Sequence, residues 1–167
     1  MEQDERKVLS ELVHNSKGNI DTIAKLCGFS RQKTWRIIKK LEQNGLIWGY
    51  STVFDEKKLD LIHFILLVKR STFQAEVKDV DVIISRKTED LAKEYGITIE
   101  TSAYIHGEYD WIMTFTAKDI KEAKNFSNKF VALYPKFIEK ITIMQTLIFM
   151  RNHYILNPNR MLLKDFL

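Results

Sequence analysis

Apolar residues recur at helical spacing through the first 47 positions of the chain, and then the pattern shifts toward alternation. Val8, Leu9, Leu12 and Val13 define one face of a first helix. The stretch "NIDTIAKLCG" puts Ile20, Ile23, Ala24 and Leu26 on a second, with Asn19 or Asp21 as its cap and Gly28 as its stop. Ser30 stands where an N-cap belongs, ahead of a third run in which Thr34, Ile37, Ile38 and Leu41 share a side and Gly45 ends the helix. "LIWGYSTVF" reads as a short strand or hairpin, and "DEKKLD" as a polar linker.

From about residue 61 the order becomes strand, helix, strand, strand, helix, strand. "LIHFILLVK" is strand-like, and Val77, Val80, Ile84, Leu91 and Tyr95 mark a helix stopped by Gly96. Ile97, Ile99, Thr101, Ala103 and Ile105 alternate onto one face of the next strand, "GEYD" is a turn, and "DWIMTFTA" follows as a strand. Asp119 with Glu122 resembles a capping box. Ile120, Ala123, Ser127, Phe130, Val131 and Tyr134 line a helix that Pro135 ends, and "IEKITIMQTLIFM" is the last strand. The expected class is α+β: a winged-helix-like helix-turn-helix domain over 1–54, a linker over 55–61, a ferredoxin-like βαββαβ domain over 62–154 and a tail over 155–167.

Two strands are apolar on both faces. Ile62, Phe64, Leu66 and Val68 lie opposite Leu61, Ile65 and Leu67 in the first; Ile141, Ile143, Leu147 and Phe149 lie opposite Met144, Ile148 and Met150 in the last. Helices cover only one face of such a sheet, so the other needs a cover. A second copy of the same sheet is the simplest; the alternative is the tail, through Leu162, Leu163 and Phe166.

Composition narrows the partners. With 45% hydrophobic and 29% charged residues, the chain folds into a globular protein. A net charge of +4 permits a nucleic-acid partner without demanding one. Cys27 is the single cysteine, so no internal disulfide and no thiol-based metal site is available. His14, His63, His106 and His153 lack metal-ligand spacing, and no metal or cofactor is expected. Neither a signal peptide nor a membrane span is legible, which reads as a cytoplasmic, nucleoid-associated protein.

On the third helix the bases gather on one side. Residues about 100° apart on a wheel put Gln32, Arg36, Lys39 and Gln43 away from the apolar face, with Lys33 and Lys40 on one edge and Trp35 on the other. An isolated basic helix is ordinarily a solvated face. Here a helix of the right size and a Gly-Phe-Ser turn precede it, which is the logic of a helix-turn-helix. Arg31, Gln32, Lys33 and Arg36 are the candidates for entering a DNA major groove, where Arg and Gln pair with guanine and adenine edges. Lys39 and Lys40 are placed for phosphates. Trp35, Trp48 and Trp111 read as packing residues, Trp48 also as a backbone contact if the following strand acts as a wing.

The segment from "NIDTIAKLCGFS" to "GYSTVFD" resembles the DNA-binding half of the Lrp/AsnC (feast/famine) regulators, and the βαββαβ half carrying "HGEYDW" is similar to that family's effector domain. The lysine-, isoleucine- and glutamate-rich composition fits an A/T-rich or thermophilic source, archaeal in type. The resemblance implies a transcriptional regulator that binds pseudo-palindromic operators. It also implies dimers built sheet to sheet, assembly to tetramers or octamers, and an amino-acid effector between dimers. Gly107, Tyr109 and Asp110 match the family's effector motif; the plainer reading of them is a tight hairpin. Two departures stand out, a longer segment over 70–98 and the tail after Tyr154. The competing reading is a siroheme-decarboxylase-like enzyme of the same architecture, using His106 with Arg151 or His153; no dense Arg/His motif supports it.

Overall fold

The computed structural model describes residues 1–72, 81, 83–85 and 87–167, and the chain divides into two compact units. One comprises Met1–Phe54 together with Phe149–Leu167, the other Asp55–Ile148. The tail expected to stand apart, or to cover the sheet, thus belongs to the helical unit. The domain limit expected near residue 154 lies at Ile148/Phe149.

The first unit holds α1 (Gln3–His14), α2 (Ile20–Cys27) and α3 (Arg31–Gln43). Val8, Leu12, Ile23, Cys27 and Ile38 form its core, with Phe29, Ile37 and Ile47 packed against it. Asn19 rather than Asp21 caps α2, its Oδ1 accepting from Thr22 N–H at 2.7 Å. Gly28 ends α2 at φ 70°, a left-handed conformation that side chains with a Cβ resist, and so turns the chain into Ser30. The Ser30 hydroxyl accepts from Lys33 N–H at 3.2 Å and starts α3. After Gly45, Leu46 and Ile47 N–H groups both donate to Leu41 O. The strand or hairpin expected over "LIWGYSTVF" does not form: residues 48–54 are irregular. In the tail, β5 (Arg151–Asn152) and β6 (Ile155–Leu156) make a small hairpin, and Tyr154 lies 5.8 Å from the His14 ring.

The second unit begins with Glu56–Leu59, a 3-10 turn with Glu56 buried, so "DEKKLD" is structured and not a free linker. Then follow β1 (Ile62–Arg70), α4 (Lys87–Glu94), β2 (Thr98–Tyr104), β3 (Trp111–Ala117), α5 (Ile120–Leu133) and β4 (Ile138–Gln145). The strand order is β2-β3-β1-β4, antiparallel throughout, as the ferredoxin-like reading requires. Val77 and Val80, assigned from sequence to the first helix here, lie outside the described residues. Ile84 is exposed, whereas Leu91 and Tyr95 pack on the core.

Phe64, Leu66 and Val68 of β1, Met113 and Phe115 of β3, and Phe126 and Phe130 of α5 form the buried core. Phe126, absent from the expected helix face, is fully buried; Ile120, included in it, is 45% exposed. In β2 the register shifts between Ile99 and Thr101. Ile99 pairs with core-facing Phe115, but Thr101 and Ala103 pair with Thr114 and Ile112 on the opposite face. The extra residue, Glu100, breaks the single-face alternation expected from Ile97 to Ile105. β4 ends at Gln145, short of the expected Met150, so Leu147 and Phe149 are not sheet residues.

The face away from the helices carries Ile65 and Leu67 of β1, Ile112 and Thr114 of β3, and Met144 of β4. His63 sits on it, 6% exposed, with Nδ1 2.7 Å from Thr146 Oγ1 and Nε2 3.3 Å from Glu100 Oε2. It is a packed histidine with both nitrogens engaged.

Candidate nucleic-acid interface

α3 turns Thr34, Ile38 and Leu41 into the unit and leaves Arg31, Gln32, Trp35, Arg36, Lys39 and Gln43 exposed. The bases divide into two groups. Lys33 reaches α1: its Nζ lies 2.5 Å from Asp4 Oδ2 and 4.1 Å from the centre of the Phe29 ring. Lys40 does the same, its Nζ 2.6 Å from Glu5 Oε1 and 3.5 Å from Glu2 Oε1. Glu5 is 5% exposed, and its other oxygen accepts from Glu2 N–H at 2.9 Å. Lys33 and Lys40, expected at DNA from sequence, pair with acids on the α1 edge of the unit. The acids at positions 2, 4 and 5 draw them there, a pairing that a single-helix wheel does not display.

Arg31 lies 3.5 Å from Asp21, with both side chains largely in solvent, a pair worth little. Lys39 Nζ is 2.7 Å from Glu42 Oε2, and the Tyr50 hydroxyl donates to Glu42 Oε1 at 3.0 Å. That bond ties the segment after Gly45 to the end of α3. Among the described residues Arg36 makes no ion pair. The open pole therefore carries Gln32 and Arg36, flanked by Arg31 and Lys39. Trp111 is buried as expected, but Trp35 and Trp48 are 48% and 96% exposed and are not packing residues.

The Lys40–Glu5 pair gives a pH-dependent prediction. Lys40 holds the Glu5 carboxyl below the usual carboxylate range, with Glu2 N–H adding to the effect; Glu5 in turn raises the Lys40 ammonium. A depressed carboxyl stabilises the fold above its unfolded value of about 4.3, and that contribution is lost as pH falls through the folded value. Lys40→Met is expected to lower stability toward urea at pH 7, with the deficit shrinking at pH 3. A deficit independent of pH would count against the pair. DNA affinity of this variant should change less than about twofold, and the salt slope should stay the same, unlike loss of a phosphate contact.

In the sheet unit, Gly107, Tyr109 and Asp110 occupy the β2–β3 connection. Asp110 has structural work: its Oδ2 accepts from Arg70 N–H at 2.7 Å, its N–H donates to Val68 O at 2.9 Å, and its carbonyl accepts from Ile105 N–H at 2.9 Å. The Tyr109 hydroxyl lies 3.3 Å from Thr142 Oγ1. Gly107 has no left-handed φ, and a Cβ built there meets nothing within 4 Å, so the turn itself does not require glycine. Beside this connection, a small cleft with room for about one water molecule lies between Arg70, Tyr104, Asp110, Trp111, Tyr134 and Phe137. Tyr104 stacks on Trp111 at 5.2 Å, and the Tyr134 hydroxyl meets Thr88 Oγ1 at 2.8 Å. Burial pushes both tyrosine hydroxyls up, which keeps them protonated. The sequence reading missed Arg70 and Tyr104, because only the strand pairing brings them beside Asp110. His106 is exposed in the sheet unit; Arg151 and His153 belong to the other unit, where Arg151 donates to Tyr154 O at 2.8 Å.

A helix-turn-helix unit joined to a ferredoxin-like sheet unit defines a class of two-domain DNA-binding regulators. Residues 5–47 match the family described as winged helix-turn-helix DNA-binding. The HTH-type transcriptional regulator PH0061 of Pyrococcus horikoshii is 31% identical over 126 residues, 75% of this chain and 76% of that protein. Its crystal structure superposes with a TM-score of 0.70 at 22% identity, covering 92% of this chain and 97% of that one. An AsnC family transcriptional regulator from Agrobacterium tumefaciens gives a TM-score of 0.68 at 18% identity, over 96% and 99% of the two chains. A regulator from Neisseria meningitidis, NMB0573, solved as a complex with L-Met, gives 0.69 at 14% identity, over 96% and 99%. The chain belongs to the Lrp/AsnC family of helix-turn-helix transcriptional regulators. No helix among the described residues is long and apolar enough to cross a membrane.

Proposed function

We propose that this regulator works in the cytoplasm, on nucleoid DNA, as a homodimer built sheet to sheet that assembles further into tetramers or octamers. Each dimer binds a pseudo-palindromic operator through two copies of α3. The observation that carries this reading is the open pole of Gln32 and Arg36 on a capped helix. Arg31 and Lys39 flank it, while Lys33 and Lys40 are engaged by α1. Gln32 and Arg36 read base edges; Arg31 and Lys39 exchange their weak partners for phosphates, and counter-ion release drives the exchange. The dimer also accounts for Ile65, Leu67, Ile112 and Met144 on the uncovered sheet face. It offers an edge to residues 48–54, whose Trp48, Tyr50 and Phe54 side chains are exposed.

We place an amino-acid effector beside Asp110, where the water-sized cleft of one protomer would have to widen or be completed by a second copy. Arg70 suits a carboxylate and the aromatic wall an apolar side chain; L-Met in NMB0573 is the precedent among similar folds. Such a ligand biases the assembly to the extent that it binds one state more tightly. We assign no catalytic role, resident cofactor or metal to the chain.

Hydroxyl-radical footprinting on DNA bound by the full-length protein tests the core of the proposal. Two protected patches, centred about one helical turn apart on one side of the duplex, are expected. A single patch, or uniform protection without sequence preference, would argue for monomeric or non-specific binding. Addition of siroheme in the same preparation is expected to leave the visible spectrum of the pigment unchanged; a shifted band would favour the decarboxylase reading.

A further inference from the structure

Trp35 has no structural reason to be tryptophan. It stands on the exposed part of α3, 48% accessible, and takes no part in the core formed by Val8, Leu12, Ile23, Cys27 and Ile38. Among the described residues its indole makes no ring contact and its Nε1–H no hydrogen bond. Tryptophan is a poorer helix former than the Arg, Lys and Gln around it, so local propensity does not favour it either. Its position is not neutral. On the wheel it lies about 40° from Lys39 and about 60° from Gln32, on the side of α3 that carries Arg31. Lys33 and Lys40 are drawn away to α1 on the other edge. The exposed surface is thus a row of hydrogen-bonding and cationic groups with one large apolar plate beside it.

DNA presents one apolar feature in the major groove, the thymine 5-methyl group. Glu42, about 20° from Trp35 on the wheel but two turns further along, is engaged by Lys39 and Tyr50, and the nearer charge, Arg31, fits DNA rather than a second apolar protein surface. We propose that Trp35 is a specificity-determining residue whose indole packs on a thymine methyl next to the base read by Gln32. This rests on α3 being the DNA-reading helix. The contact adds base preference at one position per half-site and leaves the salt dependence untouched, since it neutralises no phosphate.

Selection from a random duplex library with the full-length protein, wild type against Trp35→Ala and Trp35→Phe, provides the test. The wild type is expected to select a thymine at one half-site position. Replacing that thymine by deoxyuridine, which deletes only the methyl, should weaken wild-type binding about fourfold, the equivalent of roughly one buried CH₂. Trp35→Ala should lose the preference and be indifferent to the deoxyuridine, with unchanged thermal melting and salt slope; Trp35→Phe should keep part of both. An alanine variant that selects the same thymine and suffers the same deoxyuridine penalty overturns the inference while leaving α3 as the reader. A variant that changes oligomeric state on size exclusion with unaltered base preference also overturns it, because Trp35 would then face another protomer. If the wild type selects no sequence at all, the DNA-reading assignment itself has failed.

Discussion

The double variant Gln32→Ala with Arg36→Ala is expected to bind its operator on the order of 10³-fold more weakly, approaching its affinity for unrelated DNA. Each well-placed paired contact to a base edge is worth about 1–3 kcal/mol, and two are removed. Both side chains are exposed on α3, so folding should be almost unaffected. Non-specific binding should survive, because Arg31 and Lys39 remain for phosphates and their salt dependence is separate from base reading. A gel shift with specific and scrambled competitors measures both quantities. Retention of sequence-selective binding by the double variant would sink the assignment of this face.

The second large effect concerns assembly. Ile65 lies between Thr114 and Met144 across the sheet, and Leu67 between Ile112 and Thr142, on the face the helices leave uncovered. Ile65→Glu with Leu67→Glu puts two carboxylates at the middle of that face. Within one protomer they remain on the solvent side, so the circular-dichroism melt should move little. In a sheet-to-sheet dimer they would be buried without counter-ions, which costs several kcal/mol per charge. Analytical ultracentrifugation is therefore expected to find a monomer at micromolar concentration. Operator binding should then drop by roughly 10²–10⁴, the loss of effective concentration when two linked heads become independent. A variant that remains dimeric would place the interface elsewhere.

Much of this architecture was legible in the residues because it rests on short-range rules. Asn19, Ser30 and Asp119 announce helix starts through their own side chains, and Gly28, Gly45 and Gly96 sit at left-handed positions that end helices. Apolar alternation marked the strands, and their βαββαβ succession pointed to the ferredoxin-like sheet that the strand order shows. What was hidden depends on contacts far apart in sequence. Nothing local marks Glu100 as the extra residue of a bulge, so half of β2 was assigned to the wrong face. Nor does a helix wheel reveal that the acids at the start of α1 claim Lys33 and Lys40. The place of the tail stayed open for a similar reason: Leu162 and Phe166 show that it is apolar, not which unit it joins. Of the residues expected to read DNA, Gln32 and Arg36 are exposed where the wheel puts them, because solvent exposure on a helix face is itself a local property.

The grouping of residues 149–167 with residues 1–54 has a consequence for biosynthesis. The helical unit is assembled from segments translated before and after the whole sheet unit. While the sheet is being translated, α1 to α3 exist without the hairpin and the Tyr154–His14 contact. The helical unit thus reaches its final composition only after residues 55–148 have been translated, so the hairpin joins α1 to α3 as a late folding step.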